Sequence, residues 1–150
     1  MSIIGLGVDI VNIKRIEKLF LKNKKNLFSR ILHSKEESKK KLTANTIAKK
    51  FAAKEAFAKA IGTGIGKTIK FNEICVDKSK NGAPKIILDK KVEKRILLKL
   101  GLKKIKFFIS ISDDYPFAIA TVIVSKWSIN EKKNIRKFKN FIYCFGFSNN

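Results

Sequence analysis

Residues 50–64 read KFAAKEAFAKAIGTG, and this stretch carries the strongest structural signal in the chain. Its alanines favour a helix, and their small side chains let another element approach closely. The helical pattern begins near Thr43 and continues to Ile61, and Gly62 is a natural residue to end it. We therefore predict a long helix with an Ala-rich face that packs closely against a neighbouring element.

A short apolar stretch, IIGLGVDI, lies upstream of this helix at residues 3–10 and is typical of a buried strand. Its glycines indicate a bulge or the close approach of another backbone. Asn12 is a candidate N-cap for a second helix, which we expect to end within residues 23–26. Further on, Ser34 and Glu37 have the spacing of a capping box and predict a short helix.

The second half of the chain is richer in strand signals. The predicted elements are a strand over 68–77, a turn at Asn81-Gly82 with a returning strand over 84–88, a helix over 89–101, and strands over 105–112 and 117–125. This pattern predicts an α+β fold in which helices come first and an antiparallel sheet follows.

The length and apolar content fit one domain. The chain has 150 residues, of which 45% are hydrophobic, and this is enough for a core of ordinary size. The strand and helix pattern fades after Ser125. We therefore predict one domain over 1–125 and a basic C-terminal extension over 126–150.

The charge is strongly basic, with 34 Lys and Arg against 12 Asp and Glu and a net charge of +22. This excludes an acidic solvating protein and favours polyanionic partners. A basic RNA- or ribosome-binding module is the alternative that the charge supports, and it would show steeply salt-dependent affinity. However, 30 of the 34 basic residues are Lys and only 4 are Arg, the residue that nucleic-acid readers favour. Drift in an A/T-rich genome explains much of this excess, so we expect no nucleic acid among the partners.

The cysteines and the hydropathy pattern bear on the compartment. Cys75 and Cys144 lie far apart and predict neither a zinc site nor a disulfide framework. The first residues lack a secretory pattern, and no apolar run approaches the ~18 residues that span a bilayer. We expect a cytoplasmic protein with no membrane partner.

Three motifs have more than one interpretation. Residues 62–68, GTGIGKT, resemble a phosphate-binding P-loop, but that motif requires glycine where Ile61 stands and follows a strand, not a helix. Asp9 is a strand carboxylate that is either solvated, a helix cap or a metal ligand. Glu55 and Lys59 share one helix face and form either a surface ion pair or part of a site.

Taken together, these stretches resemble the holo-[acyl-carrier-protein] synthase family of small 4′-phosphopantetheinyl transferases. The resemblance covers about residues 3–125 and rests mainly on GLGVDIV at 5–11 and on the Ala-rich motif at 50–64. It continues through NGAP at 81–84 and AIATV at 118–122. The family fold it implies packs helices on a small, mostly antiparallel sheet.

The resemblance implies transfer of the phosphopantetheine arm of coenzyme A to a serine of apo acyl carrier protein. The other product would be adenosine 3′,5′-bisphosphate, and the reaction would require Mg²⁺ and serve fatty acid biosynthesis. It also implies a homotrimer with active sites at the subunit boundaries. We expect exposed apolar surface on the sheet as the mark of that assembly.

The resemblance also assigns roles to single residues. The metal ligands would be Asp9 and Glu55, and the catalytic residues would be Glu55, as the candidate base, and Lys59, which would face the phosphates. The coenzyme would contact Lys50, Lys59, Gly62, Thr63 and Gly64, and the acidic carrier protein would contact Arg15.

Two departures from the family pattern stand out. Lys50 replaces a common arginine, which preserves a phosphate contact but not a bidentate one. Ser112, Asp113 and Asp114 occupy a region where the family often has a histidine, and this puts a phosphate or ribose contact in doubt. A relative that has lost activity and persists as a structural subunit is another alternative, but the intact Asp9, Glu55 and Lys59 speak against it.

Overall fold

The computed structural model describes residues 2–37 and 42–126 of the chain. The elements in chain order are β1 (Ser2–Asn12), α1 (Ile13–Ile31), α2 (Ser34–Glu37), α3 (Ala44–Ala60), β2 (Ile74–Lys78), β3 (Pro84–Leu88), α4 (Lys90–Leu100), β4 (Ile105–Asp114) and β5 (Phe117–Lys126). None of the helices in these two ranges is both long enough and apolar enough to cross a membrane.

The strands form two antiparallel sheets. One is three-stranded with the order β1-β5-β4, and the other is the β2-β3 hairpin. The register of the larger sheet pairs Asp9 with Ala120 and Ser2 with Lys126. The α+β class is confirmed, but the expected order of helices first and sheet afterwards is wrong, because β1 pairs with a strand formed more than a hundred residues later.

The long helix α3 lies against the inner face of the larger sheet, and glycines set the distance. A Cβ atom on Gly7 would lie 2.0 Å from the Ala56 carbonyl oxygen, and one on Gly5 would lie 1.9 Å from the Ala60 carbonyl oxygen. Such distances are far inside van der Waals contact, so only glycine fits at either position. The predicted close approach of an element to the Ala-rich helix is therefore confirmed, and the partner is β1.

The two faces of the larger sheet differ in burial. The inner positions of β5 are fully buried small or β-branched residues: Ala118, Ala120, Val122 and Val124. On the outer face of β1, Leu6 is 62% exposed and Ile10 is 58% exposed, with Val8 between them also exposed. Ile119 on β5 extends this surface. The outer face of the sheet is thus apolar, and no element within residues 2–37 and 42–126 covers it.

The first helix continues beyond its predicted end. Asn23 has non-helical backbone angles of φ −159° and ψ 81°, which interrupt the helix. Its side chain accepts a hydrogen bond of 2.9 Å from the Asn26 backbone N–H, as an N-cap does. The predicted stop is confirmed as a break, but a second helical segment begins there and runs to Ile31.

The predicted capping box at Ser34 and Glu37 is wrong by one residue. His33 is the capping position, since its N–H donates to Glu36 Oε2 at 2.7 Å and its carbonyl accepts from the Glu36 N–H at 2.8 Å. The carboxylate that closes the box belongs to Glu36 because this side chain is also drawn inward by two lysines of α3.

The strand predicted over 68–77 is much shorter. Residues Phe71–Glu73 form a 3₁₀ turn, and the strand covers only Ile74–Lys78. The side chain of Glu73 accepts a hydrogen bond from the Lys70 N–H at 2.9 Å and another from Arg95 at 2.7 Å. These hydrogen bonds stabilise the 3₁₀ turn, so the residues with alternating hydropathy before Ile74 do not join the strand.

The remaining elements agree with the sequence. The turn at Asn81-Gly82 joins β2 to β3, with Gly82 at φ +82°, and Gly101 ends α4 in the left-handed region at φ +63°. The last hairpin is confirmed and is slightly longer than predicted, because Lys126 still pairs in β5. The other residues of the predicted C-terminal extension lie outside the described part of the chain.

Candidate active site

Asp9 faces α3 from β1, an edge strand of the larger sheet. It follows Gly5 and Gly7 at two-residue intervals, so all three lie on the inner face of β1. Lys59 Nζ donates to Asp9 Oδ1 at 2.8 Å and to the Val8 carbonyl oxygen at 3.0 Å. The close packing of β1 on α3 therefore brings together two of the predicted site residues that are 50 positions apart in sequence.

Glu55 lies one helical turn before Lys59, but the two do not form the surface ion pair that their spacing allows. Lys59 pairs with Asp9 instead. Glu55 and Asp9 both line a cavity of about 280 Å³, whose other walls include Arg15 and Phe51. The geometry thus favours the interpretation of Asp9, Glu55 and Lys59 as one site.

The charges of the two carboxylates are coupled. Burial raises the pKa of the Glu55 carboxyl, and the negative charge of Asp9 raises this pKa further, while Lys59 acts in the opposite direction. A carboxylate that resists ionisation because a second carboxylate lies near it is stabilised when a cation binds between them. The site therefore has the electrostatic character of a cation site.

The donor set fits Mg²⁺ better than a transition metal. Within residues 2–37 and 42–126 no group of three or more His, Cys, Asp and Glu side chains is placed to hold a metal. Mg²⁺ is commonly held by one or two carboxylates and completes its shell with water and substrate phosphates. Asp9 and Glu55 supply that number of hard oxygen ligands, and the cavity beside them leaves space for the other ligands.

Arg15 reaches the same cavity from α1. The helix begins at Asn12, whose side-chain oxygen caps the Lys14 N–H at 3.0 Å, and the Ile13 N–H donates to the Pro116 carbonyl at 2.8 Å. These two contacts fix the first turn of α1 against the β4-β5 turn. Arg15 is exposed at this first turn and lies at the edge of the cavity.

The glycine-rich loop follows directly after Lys59. Gly62 and Gly64 have φ of +67° and +60°, and a Cβ at either position would meet open space. The N–H groups of the loop cap the end of α3: Gly62 donates to Lys59, and Thr63 and Gly64 both donate to Ala58. The loop therefore ends α3, as we predicted from Gly62. Its open side, where a Cβ on Gly62 or Gly64 would meet no atom, follows closely after Lys59 in the chain.

Lys50 points away from the Asp9–Glu55 cavity. Its Nζ donates to Glu36 Oε1 at 2.9 Å and to the Val76 carbonyl oxygen. It also lines a second cavity of about 420 Å³, together with Lys49, Lys78 and Asp113. Within one chain the structure therefore does not bring Lys50 together with Asp9, Glu55 and Lys59.

Asp113 stands in the region where the resemblance predicts a histidine. Its carboxylate accepts hydrogen bonds of 2.9 Å from both Asn45 Nδ2 and Lys49 Nζ. These two hydrogen bonds, first that of Asn45 and then that of Lys49, lower the pKa of Asp113. The carboxylate thus offsets part of the positive charge of the larger cavity.

Sequence reasoning missed the buried pair Glu36 and Lys54. Lys54 is 0% exposed and Glu36 is 1% exposed, and their side chains form an ion pair. One signal was available: Lys54 lies midway between the buried residues Ile47 and Ile61 at seven-residue spacing, which places it on an apolar helix face.

Comparison with known proteins identifies the family of this chain. The family model of the 4′-phosphopantetheinyl transferase superfamily matches residues 5–120. The holo-[acyl-carrier-protein] synthase of Ruthia magnifica subsp. Calyptogena magnifica is 44% identical over 126 residues, which are 81% of this chain and 96% of that protein.

Two crystal structures show the same likeness. The holo-[acyl-carrier-protein] synthase of Neisseria meningitidis has a TM-score of 0.72 and 35% identity, covering 83% of this chain and 100% of that one. The Helicobacter pylori enzyme, solved in complex with coenzyme A, has a TM-score of 0.68 and 39% identity over 80% of this chain and 99% of its own.

The family model and these relatives therefore define the chain as a phosphopantetheinyl transferase. Within that class, the chain belongs to the holo-[acyl-carrier-protein] synthase family. The resemblance on which the sequence interpretation rested is confirmed.

Proposed function

We propose that this chain transfers the 4′-phosphopantetheine arm of coenzyme A to a serine of apo acyl carrier protein, in a Mg²⁺-dependent reaction that serves fatty acid biosynthesis. The observation that carries the proposal is the placement of Asp9 and Glu55 at one cavity, with Lys59 paired to Asp9 beside them. The names of the relatives and the coenzyme A complex of the Helicobacter pylori enzyme support the two substrates. The cytoplasmic location remains part of this proposal.

The proposed reaction is a displacement at phosphorus. The serine hydroxyl oxygen forms a bond to the pyrophosphate phosphorus that carries the pantetheine arm. The bond from that phosphorus to the bridging oxygen breaks, and adenosine 3′,5′-bisphosphate leaves with the electron pair. Glu55 is the candidate base that receives the serine proton, and Mg²⁺ bound to the same carboxylate would lower the pKa that burial and Asp9 raise in the metal-free chain.

Asp9 and Glu55 would hold the Mg²⁺ ion. When bound, the ion supplies Lewis-acid stabilisation of the charge that builds on the phosphate oxygens. Lys59 adds a second positive charge beside Asp9, at the place where charge develops.

The remaining assignments concern the two substrates. The open side of the loop at Gly62, Thr63 and Gly64 is the place we assign to the coenzyme, and Lys50 is assigned to it from the larger cavity. Arg15 is assigned to the acidic carrier protein, because it is exposed at the edge of the cavity where the serine must enter. The charge of +22 suits both substrates, since each is an anion.

The function has a direct test. Apo acyl carrier protein incubated with the chain, coenzyme A and Mg²⁺ is expected to gain the mass of the phosphopantetheine arm, as measured by intact mass spectrometry. The gain should vanish when the acceptor serine is replaced by alanine and when the metal is chelated. Unchanged carrier protein in the complete mixture would overturn the proposed function.

The homotrimer is the second part of the proposal. The uncovered outer face of the sheet, with Leu6, Val8 and Ile10 exposed, is the apolar surface that such an assembly requires. Asp9 lies on the opposite face of the same strand, so an interface on this strand lies next to the site.

Introducing a charge on this face should break the assembly. We expect Leu6→Glu to reduce the mass in sedimentation equilibrium from three times the 17.0 kDa chain to one chain, because a carboxylate cannot be buried there unpaired. Leu98→Glu is the matched control, since Leu98 is 73% exposed on α4, away from the sheet. A wild-type protein with the mass of one chain, or a Leu6→Glu protein that keeps the wild-type mass, would contradict this interface.

A further inference from the structure

The buried pair of Glu36 and Lys54 connects four elements. Glu36 Oε1 accepts from Lys50 Nζ and from the Val76 N–H of β2, each at 2.9 Å. Its Oε2 accepts from Lys54 Nζ and from the His33 N–H. Each oxygen of the Glu36 carboxylate accepts two hydrogen bonds, so the group is held rigidly between α2, α3 and β2.

Lys54 extends the same cluster to α1. Its ammonium group donates to the carbonyl oxygen of Ile31, which is the last residue of α1. The carbonyl end of a helix carries partial negative charge, so this contact attracts the cation. The C-terminal end of α1 is thereby fixed to α3 at the residue directly before Glu55.

The position of this contact matters for the cavity. The first turn of α1 supplies Arg15 to the cavity, and α3 supplies Glu55. The two helices therefore face each other across the site at one end of α1 and are joined through Lys54 at the other end. Because α1 is interrupted at Asn23, between these two ends, the Lys54 contact fixes the second helical segment and acts on the cavity through α3 and Glu55.

The same cluster fixes the rotation of α3 about its axis. Successive residues of a helix are about 100° apart, so a rotation that turns Glu55 away from Asp9 must also pull Lys54 out of its contacts. The contact of α3 with β1 is made by glycine and alanine, whose side chains do not interlock, and by the hydrogen bonds of the half-exposed Lys59 to Asp9 and Val8. The buried ion pair supplies a second fixed point, which is shielded from water.

We propose that Glu36 and Lys54 are positioning residues, which orient α3 so that Glu55 and Asp9 present their carboxylates to one cation. The inference rests on the proposed function, because it gives Glu55 the role of a metal ligand. A buried ion pair is often no more stabilising than an apolar pair of the same volume, so stability alone does not account for it.

The test measures metal binding directly. Glu36→Gln and Lys54→Met each remove one charge of the pair at nearly constant volume. We expect each to weaken binding of Mn²⁺, used as a spectroscopic probe for Mg²⁺, by about tenfold or more, as changes in the supporting contacts of metal ligands commonly do. The double variant should bind Mn²⁺ no more weakly than the weaker single variant, because both changes release the same contact.

Ile96→Ala is the control for a loss of stability. Ile96 is buried on α4, a helix that carries neither residue of the pair and no residue that lines the cavity, so its truncation should lower the melting temperature without a specific effect on the metal. Titrations are made by electron paramagnetic resonance at a temperature where circular dichroism shows every variant folded. Mn²⁺ affinities of Glu36→Gln and Lys54→Met equal to that of Ile96→Ala would overturn the inference.

Two further outcomes are distinguishable. If Glu36→Gln does not fold, the Lys54→Met protein, which keeps the contact of Glu36 with Lys50, decides the question by the same comparison. If the wild-type protein itself binds no Mn²⁺ and transfers no phosphopantetheine, the proposed function fails, and the inference fails with it. A wild-type protein that binds and transfers while both variants behave like Ile96→Ala refutes the inference alone.

Discussion

Replacing Asp9 or Glu55 by alanine is expected to reduce transfer from coenzyme A to apo acyl carrier protein by at least about a hundredfold. Each change removes one of the two carboxylates that line the cavity, and Mg²⁺ has few protein ligands to lose. The loss is measured as the initial rate at saturating Mg²⁺ and coenzyme A. The chains should remain folded, because removing either carboxylate relieves a repulsion that raises the pKa of Glu55.

Two matched changes make this result specific. Asp9→Asn and Glu55→Gln keep the shape of each side chain and remove only the charge, and they should be nearly as inactive as the alanine variants. Glu93→Gln removes the same charge from α4 and should have the wild-type rate. Full activity of Asp9→Ala or Glu55→Ala would show that the metal is held elsewhere.

Gly7→Ala is expected to destabilise the protein by about 3 kcal/mol or more, at the upper end of what overpacking costs. The added Cβ would lie 2.0 Å from the Ala56 carbonyl oxygen and 2.6 Å from the Ala60 nitrogen, and both are backbone atoms of α3 that cannot move aside alone. The free energy of unfolding is measured by urea denaturation. The protein that still folds should also lose activity, because β1 and Asp9 must move away from Lys59.

Gly66→Ala is the control for this change. A Cβ at Gly66 meets no atom within 4 Å, so the substitution should change the free energy of unfolding by less than about 1 kcal/mol. Equal stabilities of the Gly7→Ala and Gly66→Ala proteins would mean that β1 and α3 do not pack as described.

The contact between β1 and α3 was predictable from sequence because each of the two segments carries a pattern of small residues. Glycines at a two-residue interval and alanines at a four-residue interval are the patterns that a strand and a helix need to touch with their backbones. Asp9, Glu55 and Lys59 follow from the same stretches, since they flank the small residues. The resemblance to a family gave them roles, and the structure brings Asp9 and Glu55 to one cavity and pairs Lys59 with Asp9.

The orientation of the lysines on α3 was not predictable in this way. Lys50 and Lys54 lie in the same motif as Lys59, but both turn towards Glu36, which is 14 and 18 residues earlier in the chain. The direction of a long, flexible side chain depends on where an opposite charge lies in the folded protein. The spacing of Lys54 from Ile47 and Ile61 places it on an apolar helix face, but local sequence does not show which carboxylate it meets, so the pairing with Glu36 and the shifted capping box were both missed.

The pairing of Ser2 with Lys126 has a consequence for how the chain acquires its structure. During synthesis, β1 leaves the ribosome long before β5, the strand with which it pairs in the described part of the chain. Until β5 has been made, the apolar residues of β1 are exposed and its backbone hydrogen-bonding groups lack their strand partner. Contacts between residues so distant in sequence form slowly, because a long loop must close first. Asp9 is therefore synthesised early but reaches its native position in the sheet late. A chain that ends before Phe117 would contain every proposed catalytic side chain but would lack β5, the strand that aligns β1.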